Sequence, residues 1–175
     1  MTAETAGLGV KVLETERLVL RRLTLGDAAL MLELLNDPSF IRNVADRGVR
    51  TLADAENYLT TKVLPIYEQH GFGFYRVELK ANGEPIGTCG LAKRETIDYI
   101  DIGYGFLERF AGCGYATESA AGVMDYARKI LQLPQVVGFT SPKNHASIRV
   151  LQKLGLRYER MIELPGFTSA SMMFS

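Results

Sequence analysis

The stretch Tyr104-Gly-Phe-Leu-Glu-Arg-Phe-Ala-Gly-Cys-Gly-Tyr-Ala-Thr-Glu118 is the most informative part of this sequence. It begins at the end of an alternating, strand-like segment and leads into a long helical pattern, with Gly112 and Gly114 in the loop between them. The first N–H groups of a helix are unpaired and carry partial positive charge. Glycines at such a point remove the side chains that would block an anion. The stretch therefore predicts a phosphate-binding loop built mainly from backbone groups.

Two common phosphate-binding patterns do not fit this loop. The Walker pattern requires GxxxxGK[ST], and the chain has no Gly-Lys-Ser/Thr. The dinucleotide fingerprint requires GxGxxG, but the chain reads G-C-G-Y-A-T from Gly112 and offers no acid at residues 131–134 for a ribose. A nucleotide-binding α/β protein is therefore a distant alternative.

The rest of the chain alternates between strand and helix patterns, which predicts a mixed α/β sheet with helices on both faces. Asn82-Gly83 is the strongest hairpin signal, and Thr51 and Asp54 have capping-box spacing, with Asp in place of Glu. The helix that begins there should be disturbed at Pro65, which lacks an N–H. In chain order, the predicted elements are a strand over 17–23, helices over 28–35 (capped by Asp27 and ended by 36–38) and 52–68, strands over 72–79, 86–92 and 99–106, a helix over 114–131, a strand over 135–140, a helix over 146–154, and strands over 157–163 and 170–174.

Composition excludes several classes of protein. The chain has 175 residues, with 20 Lys+Arg against 20 Asp+Glu, so it lacks the basic surplus of a general nucleic-acid binder. Two cysteines, Cys89 and Cys113, give neither a disulfide framework nor a zinc pattern. Two histidines are too few for a multi-histidine metal centre, and no apolar run is long enough for a membrane helix. We expect one cytoplasmic domain that binds no metal, nucleic acid or membrane.

A third phosphate-loop pattern fits the stretch. Arg109, Gly112 and Gly114 match the (Gln/Arg)-x-x-Gly-x-(Gly/Ala) pyrophosphate loop of the GNAT N-acetyltransferases. The wider segment, Ile-Gly-Tyr over 102–104 and Gly-x-Gly-Tyr-Ala-Thr-Glu over 112–118, resembles the RimJ/RimL-like branch of that superfamily. Glu108 stands where that branch usually has Pro.

Three further blocks resemble the same branch. Residues 14–21 are similar to its opening strand and residues 83–91 to its central hairpin. Asn144-x-x-Ser147, followed by Leu-x-Lys-Leu-Gly-Leu over 151–156, resembles the block N-x-x-S-x-x-x-L-x-K-x-GF, with Leu for the final Phe. Four ordered blocks across residues 13–174 are far more specific than the loop alone.

The resemblance implies the GNAT acyl-CoA N-acyltransferase fold, an α/β fold with a mostly antiparallel sheet. That sheet splays between its fourth and fifth strands, counted from residue 17. The resemblance assigns one domain to residues 13–175 and leaves residues 1–12 as a flexible N-terminal arm. It further implies an N-acetyltransferase with acetyl-CoA as co-substrate and a primary amine, of a small molecule or a peptide, as acceptor. A homodimer is compatible with it.

The resemblance also implies where coenzyme A would bind. The fourth strand would pair with the pantetheine arm like an added β-strand, which we place on Phe106 and Leu107. The amides of residues 110–116 would hold the pyrophosphate, Asn144 would meet the pantetheine, and the following helix would line the thiol end. The candidate cofactor-binding residues are Phe106, Leu107, Arg109, Phe110, Ala111, Gly112, Cys113, Gly114, Tyr115, Ala116, Asn144 and Ser147.

The catalytic residues follow the family pattern less closely. Many GNAT members have a Tyr as general acid four residues before the Gly that ends the last helix, where this chain has Leu151. Ser147 is the substitute suggested by the branch, as a hydrogen-bond donor or through water, and Asp101 matches the branch's acidic position for a base. The Tyr missing at 151 leaves open an acyl-CoA-binding module with little catalysis. Arginines at 42, 47 and 50 against Asp46 suggest an acceptor that carries a carboxylate.

Overall fold

The computed structural model describes residues 7–175 of the chain. Eight strands form one sheet, and six α-helices pack around it among these residues. The elements are β1 (Lys11–Glu14), β2 (Leu18–Arg22), α1 (Ala28–Leu35), α2 (Pro38–Asn43), α3 (Leu52–Tyr58), α4 (Leu64–His70), β3 (Phe74–Leu79), β4 (Pro85–Lys93), β5 (Ile100–Phe106), α5 (Tyr115–Lys129), β6 (Val137–Thr140), α6 (His145–Lys153), β7 (Tyr158–Ile162) and β8 (Ser171–Phe174).

The strand order across the sheet is β1-β2-β3-β4-β5-β6-β8-β7. Every neighbouring pair is antiparallel except β5 and β6, which run parallel. The predicted mixed, mostly antiparallel sheet is therefore confirmed. Because β1 precedes the first predicted strand, β5 and β6 are the fourth and fifth strands counted from residue 17.

The sheet is splayed between β5 and β6. Along its other edge β5 pairs with β4 at all seven positions from Ile100 to Phe106. With β6 it pairs at only two, Asp101 with Val137 and Ile102 with Gly138. The remainder of β5 therefore has a free edge, as the resemblance implied.

Two helix starts differ from the predictions. The Asp27 side chain does not cap α1 but accepts from the backbone N–H of Thr24 and pairs with Arg76 at 2.8 Å, where it is buried. Asp37-Pro38, expected to be only a stop, begins α2: Asp37 caps it and Pro38 takes the first turn, where a missing N–H has no cost. The stop signal of one helix is thus the start signal of the next.

The helix predicted over 52–68 begins where expected and is disturbed near Pro65, as expected. Thr51 and Asp54 form the reciprocal capping box. A π-helical turn over Leu59–Val63 then separates α3 from α4 just before Pro65. Proline cannot donate to the carbonyl four residues earlier, so the helix rearranges at this point.

The first strand was not predicted. Lys11–Glu14 pairs antiparallel with β2, although none of its residues is fully buried. It overlaps the last two residues of the expected N-terminal arm, whose residues 1–6 lie outside the described part of the chain. A half-exposed edge strand lacks the alternating apolar pattern that marks a buried one.

The core lies between the sheet and its helices. Helix α5 packs on β4 and β5, and α1 packs on β4 and α3. Within the described residues, no helix combines the length and apolarity needed to cross a membrane.

Candidate active site

A cleft of about 1110 Å3 opens where β6 leaves β5. Its walls come from the free part of β5, the loop before α5, the first turns of α6, α2 with the loop that follows it, and the loop between β7 and β8. Elements far apart in sequence therefore meet at one place. The splay creates this space because no strand fills the position beside Tyr104, Gly105 and Phe106.

The backbone of β5 offers polar groups to this cleft. The N–H of Leu107 donates to the carbonyl of Ile86 at 3.0 Å, on the β4 side. Backbone groups alternate in direction along an antiparallel strand, so those of Phe106 and Tyr104 point toward the free edge. The sequence placed pantetheine pairing on Phe106 and Leu107. The N–H of Leu107 is already used and its side chain is buried, so the free groups belong to Phe106 and Tyr104.

The loop before α5 has the form of an anion cradle. Gly112 and Gly114 adopt φ of +78° and +83°, in the left-handed region that favours glycine. Gly114 is the N-cap of α5, and no side chain caps this helix. By contrast, the N-terminus of α6 is capped by Asn144. The first N–H groups of α5 are therefore left for an anion from outside.

A second segment holds this loop in place. Arg17, between β1 and β2, binds the Glu118 carboxylate at 2.6 Å and donates to the carbonyl of Cys113 at 3.0 Å. Its guanidinium also lies 4.6 Å from the centre of the Tyr115 ring. Thr15 donates to the other oxygen of Glu118 at 2.6 Å. Although burial raises the pKa of Glu118, these hydrogen bonds hold it below its ordinary value.

Two predicted loop residues turn away from the cleft. The Arg109 guanidinium pairs with Glu33 on α1, and both side chains are half exposed. Cys113 is exposed, and its carbonyl accepts from Arg17. Neither side chain lines the cleft, and nor does Leu107. The remaining candidates lie along it: Phe106, Phe110, Ala111, Gly112, Gly114, Tyr115, Ala116, Asn144 and Ser147.

Asp101 lies in the short paired segment of β5 and β6, just before the two strands separate. It is 3% exposed yet reaches the cleft, and its carboxylate is 3.3 Å from the Arg94 guanidinium. Burial raises the pKa of Asp101 to about 6, against the opposing effect of Arg94. A carboxylate with such a pKa is mostly ionised at neutral pH and can take a proton.

Ser147 and Asn144 are held together at the start of α6. The Asn144 side chain accepts from the N–H of Ser147 at 3.1 Å, which caps the helix. The Ser147 hydroxyl lies 2.8 Å from the hydroxyl of Tyr104 on β5. Burial raises the pKa of Tyr104 to about 12, against a lowering by the Ser147 hydrogen bond. A hydrogen bond therefore joins β5 to α6 across the gap between β5 and β6.

The position of the usual family tyrosine faces the core. Leu151 is 1% exposed, lies outside the cleft lining, and packs so closely on β6 that a Cβ on Gly138 would be 2.4 Å from it. No hydroxyl reaches the cleft from residue 151.

One wall of the cleft combines aromatic rings with arginines. A Cβ at Gly103 would lie 2.7 Å from the Phe74 ring, and one at Gly105 would lie 3.2 Å from the Phe40 ring. These two glycines therefore let the rings approach β5. Arg42 and Arg47 belong to the same wall.

Sequence reasoning missed three residues of this site. Arg17 and Arg94 were not singled out, and Tyr104 was named only as part of the Ile-Gly-Tyr segment. The partners of Arg17 and Tyr104 are 101 and 43 residues away along the chain, so no local pattern reveals them. The one available signal was the resemblance of residues 14–21 to the family's opening strand, which includes Arg17.

The comparisons with known proteins agree with this geometry. A family model described as the acetyltransferase (GNAT) domain matches residues 17–157. The uncharacterized protein YkkB of Bacillus subtilis is 36% identical over 95 residues, which cover 53% of this chain and 55% of YkkB, so the match spans about half of that relative. The uncharacterized N-acetyltransferase p20 of Bacillus licheniformis is 26% identical over 157 residues, which cover 87% of this chain and 86% of p20.

A solved structure shows the same fold. The structure of RimL, a ribosomal L7/L12 α-N-protein acetyltransferase in complex with coenzyme A, superposes with a TM-score of 0.80 at 17% identity. The match covers 94% of this chain and 96% of that one.

Proposed function

Because this chain belongs to the GNAT family of acetyltransferase domains, we propose that it transfers the acetyl group of acetyl-CoA to a primary amine, which attacks the thioester directly. The observation that carries the proposal is the free edge of β5 beside an uncapped helix N-terminus. The first offers backbone groups to an extended chain, and the second offers them to phosphates. Coenzyme A contains both.

The residues present fit coenzyme A. The backbone groups of Tyr104 and Phe106 would pair with the pantetheine arm, and the loop over 110–116 would hold the pyrophosphate. Asn144 and Ser147 would line the thiol end. Acetyl-CoA supplies the activated acetyl thioester. Arg109 remains part of the proposal only if its side chain leaves Glu33.

Asp101 is the proposed general base. An alkylammonium must lose a proton before it can attack. Its ordinary pKa of about 10.4 lies well above the pKa of Asp101, about 6, so the carboxylate would take the proton through water. Arg94 holds the carboxylate at one edge of the cleft. Much of the rate would come from holding the amine in place.

Two groups would meet the negative charge that develops in the reaction. A backbone N–H on the free edge of β5 is the donor for the carbonyl oxygen. The Ser147 hydroxyl is the donor for the leaving sulfur, because residue 151 offers no hydroxyl.

The acceptor is proposed to carry a carboxylate. Asp46 is neutralised by Arg50 at 2.6 Å. Arg42 has only a distant contact of 3.9 Å with Glu108, and Arg47 has no ion pair within the described residues. The part of the cleft lined by α2 and the loop after it therefore presents positive charge that an acceptor carboxylate would neutralise.

We place the chain in the RimJ/RimL-like branch and its reaction in the cytoplasm. The support for the branch is the Asn144-x-x-Ser147 block, whose two side chains meet at the cleft. A protein N-terminus and a small-molecule amine are both candidate acceptors.

Two measurements test the proposal. Acetyl-CoA should raise the melting temperature of the protein, whereas ATP and NAD should not. Thiol release should then follow the addition of an amine from a panel that pairs each amino acid or peptide with its amide. Higher kcat/KM for the free carboxylate, reduced to parity by Arg47→Gln, supports the carboxylate acceptor. A shift with ATP or NAD but none with coenzyme A would overturn the proposal.

The buried Leu151 favours a second candidate, an acyl-CoA-binding module with little catalysis. Acetyl-CoA binding without thiol release across the whole amine panel would establish it.

A further inference from the structure

The two faces of β5 separate the groups around the cleft. Side chains alternate along a strand, so Asp101, Gly103 and Gly105 share one face and Tyr104 points to the other. A Cβ at Gly105 would meet Phe40 of α2 and Leu34 of α1, which identifies the first face. Tyr104 reaches α6 instead. Asp101 and Tyr104 thus lie on opposite sides of the strand that borders the cleft.

The contact between Tyr104 and Ser147 admits two hydrogen-bond arrangements. In one, Ser147 donates to Tyr104, whose hydroxyl donates to the Ser147 carbonyl at 3.3 Å. In the other, Tyr104 donates to the serine oxygen across the same 2.8 Å, an ordinary length for two hydroxyls in either direction. The serine proton is free only in the second arrangement.

We propose that Tyr104 is a positioning residue, whose hydroxyl donates to Ser147 so that the serine proton points at the sulfur of coenzyme A. The proposal rests on the proposed function, because it needs coenzyme A in the cleft. Ser147 is 8% exposed, and its oxygen is fixed from behind by Tyr104 and through its backbone by Asn144. A hydroxyl held in this way loses little freedom when it binds an anion.

Tyr104 does not need to give up its proton. Its pKa is raised to about 12, above that of an ordinary thiol, so a tyrosinate is not formed to protonate a thiolate. The tyrosine instead strengthens the serine as a donor, since hydrogen bonds in a chain polarise one another. The chain thus has a tyrosine behind the leaving group although residue 151 is leucine.

The direct test is the pKa of the thiol of bound coenzyme A. It is followed by the ultraviolet absorbance of the thiolate, with the desulfo-coenzyme A complex as the blank that cancels Cys89, Cys113 and the tyrosines. Wild type should hold the thiol pKa below that of free coenzyme A. Tyr104→Phe should raise the thiol pKa by about half a unit to one unit, a threefold to tenfold loss of thiolate preference.

The variants form a cycle with a matched control. Ser147→Ala should raise the thiol pKa at least as much, and the double variant no further, because Tyr104 acts only through Ser147. Tyr75→Phe removes the same hydroxyl from a buried tyrosine outside the cleft, whose pKa is likewise raised by burial, and should leave the thiol pKa unchanged. Thermal unfolding checks that each variant folds. If Tyr104→Phe does not fold, Ser147→Ala tests the pair.

Kinetics give the second reading. Tyr104→Phe should lower kcat about threefold to tenfold and leave the KM for acetyl-CoA within twofold. The proposal would be overturned if Tyr104→Phe kept the wild-type thiol pKa and kcat. It would also be overturned if the two single variants had equal effects that added in the double variant. Either result would leave the proposed function intact. Failure of wild type to bind coenzyme A would overturn both.

Discussion

The two edges of β5 show how one strand serves both the fold and the cleft. Toward β4 it pairs at seven positions, and Gly87 of β4 lets the Gly105 carbonyl and Phe106 of β5 come close. Toward β6 it pairs at two, and beyond them its polar groups face the cleft. The closed edge therefore contributes stability and the free edge contributes binding groups, so damage to the two edges should have separable effects.

The largest effect should come from Asp101, in the short segment where β5 still pairs with β6. Asp101→Asn removes the proposed base, so kcat/KM should fall about 100-fold or more. In wild type, kcat/KM should rise with pH to a plateau above about 6, because the carboxylate form is the active one. The rise should be absent in the variant, as measured by thiol release. Wild-type activity in Asp101→Asn would remove Asp101 from the mechanism.

The same carboxyl should limit stability. Its pKa is near 6 in the folded protein and 3.8 as the ordinary value, so the stability present below pH 4 is lost as pH rises through 6. Asp101→Asn should abolish the part of the pH dependence that comes from this group, measured as the free energy of unfolding in urea between pH 4 and 7. An unchanged pH dependence would contradict the raised pKa.

The closed edge can be broken without touching the cleft. Gly87→Ala places a Cβ 2.3 Å from the carbonyl oxygen of Gly105, and backbone cannot rotate away as a side chain can. The free energy of unfolding should fall by about 2–4 kcal/mol. Gly7→Ala, where nothing lies within 4 Å, is the control and should change little. An unchanged free energy of unfolding in Gly87→Ala would show that β4 and β5 can move apart enough to fit the added methyl group.

The anion loop beside the free edge is tested by a matched pair of glycines. Gly114→Ala and Gly83→Ala both force a side chain into left-handed backbone, at φ of +83° and +73°, so each should lose about 1 kcal/mol of stability. Only Gly114→Ala should weaken acetyl-CoA binding, by about tenfold, as measured by calorimetry. Equal affinities in the two variants would separate the loop from the cofactor.

The sequence revealed features with local signals better than contacts between distant segments. Asn82-Gly83 and the capping box at Thr51 are local signals, so the hairpin and α3 were predicted. The glycine loop before α5 was predicted for the same reason. The turn of Arg109 toward Glu33 and the contact of Tyr104 with Ser147 depend on segments 76 and 43 residues apart, which only the packed chain brings together.

The smallest effect should come from Arg17, which supports the loop without lining the cleft. Arg17→Ala removes the guanidinium that binds both Glu118 and the Cys113 carbonyl. The Kd for acetyl-CoA should rise threefold to fivefold, because the loop must then be ordered on binding. At saturating acetyl-CoA, kcat should stay within twofold. Arg128→Ala, which breaks an exposed pair with Asp125 on the same helix as Glu118, is the control. An unchanged Kd in Arg17→Ala would mean that the glycines and the helix N-terminus hold the loop by themselves, and the free edge would then need no support from the β1–β2 connection.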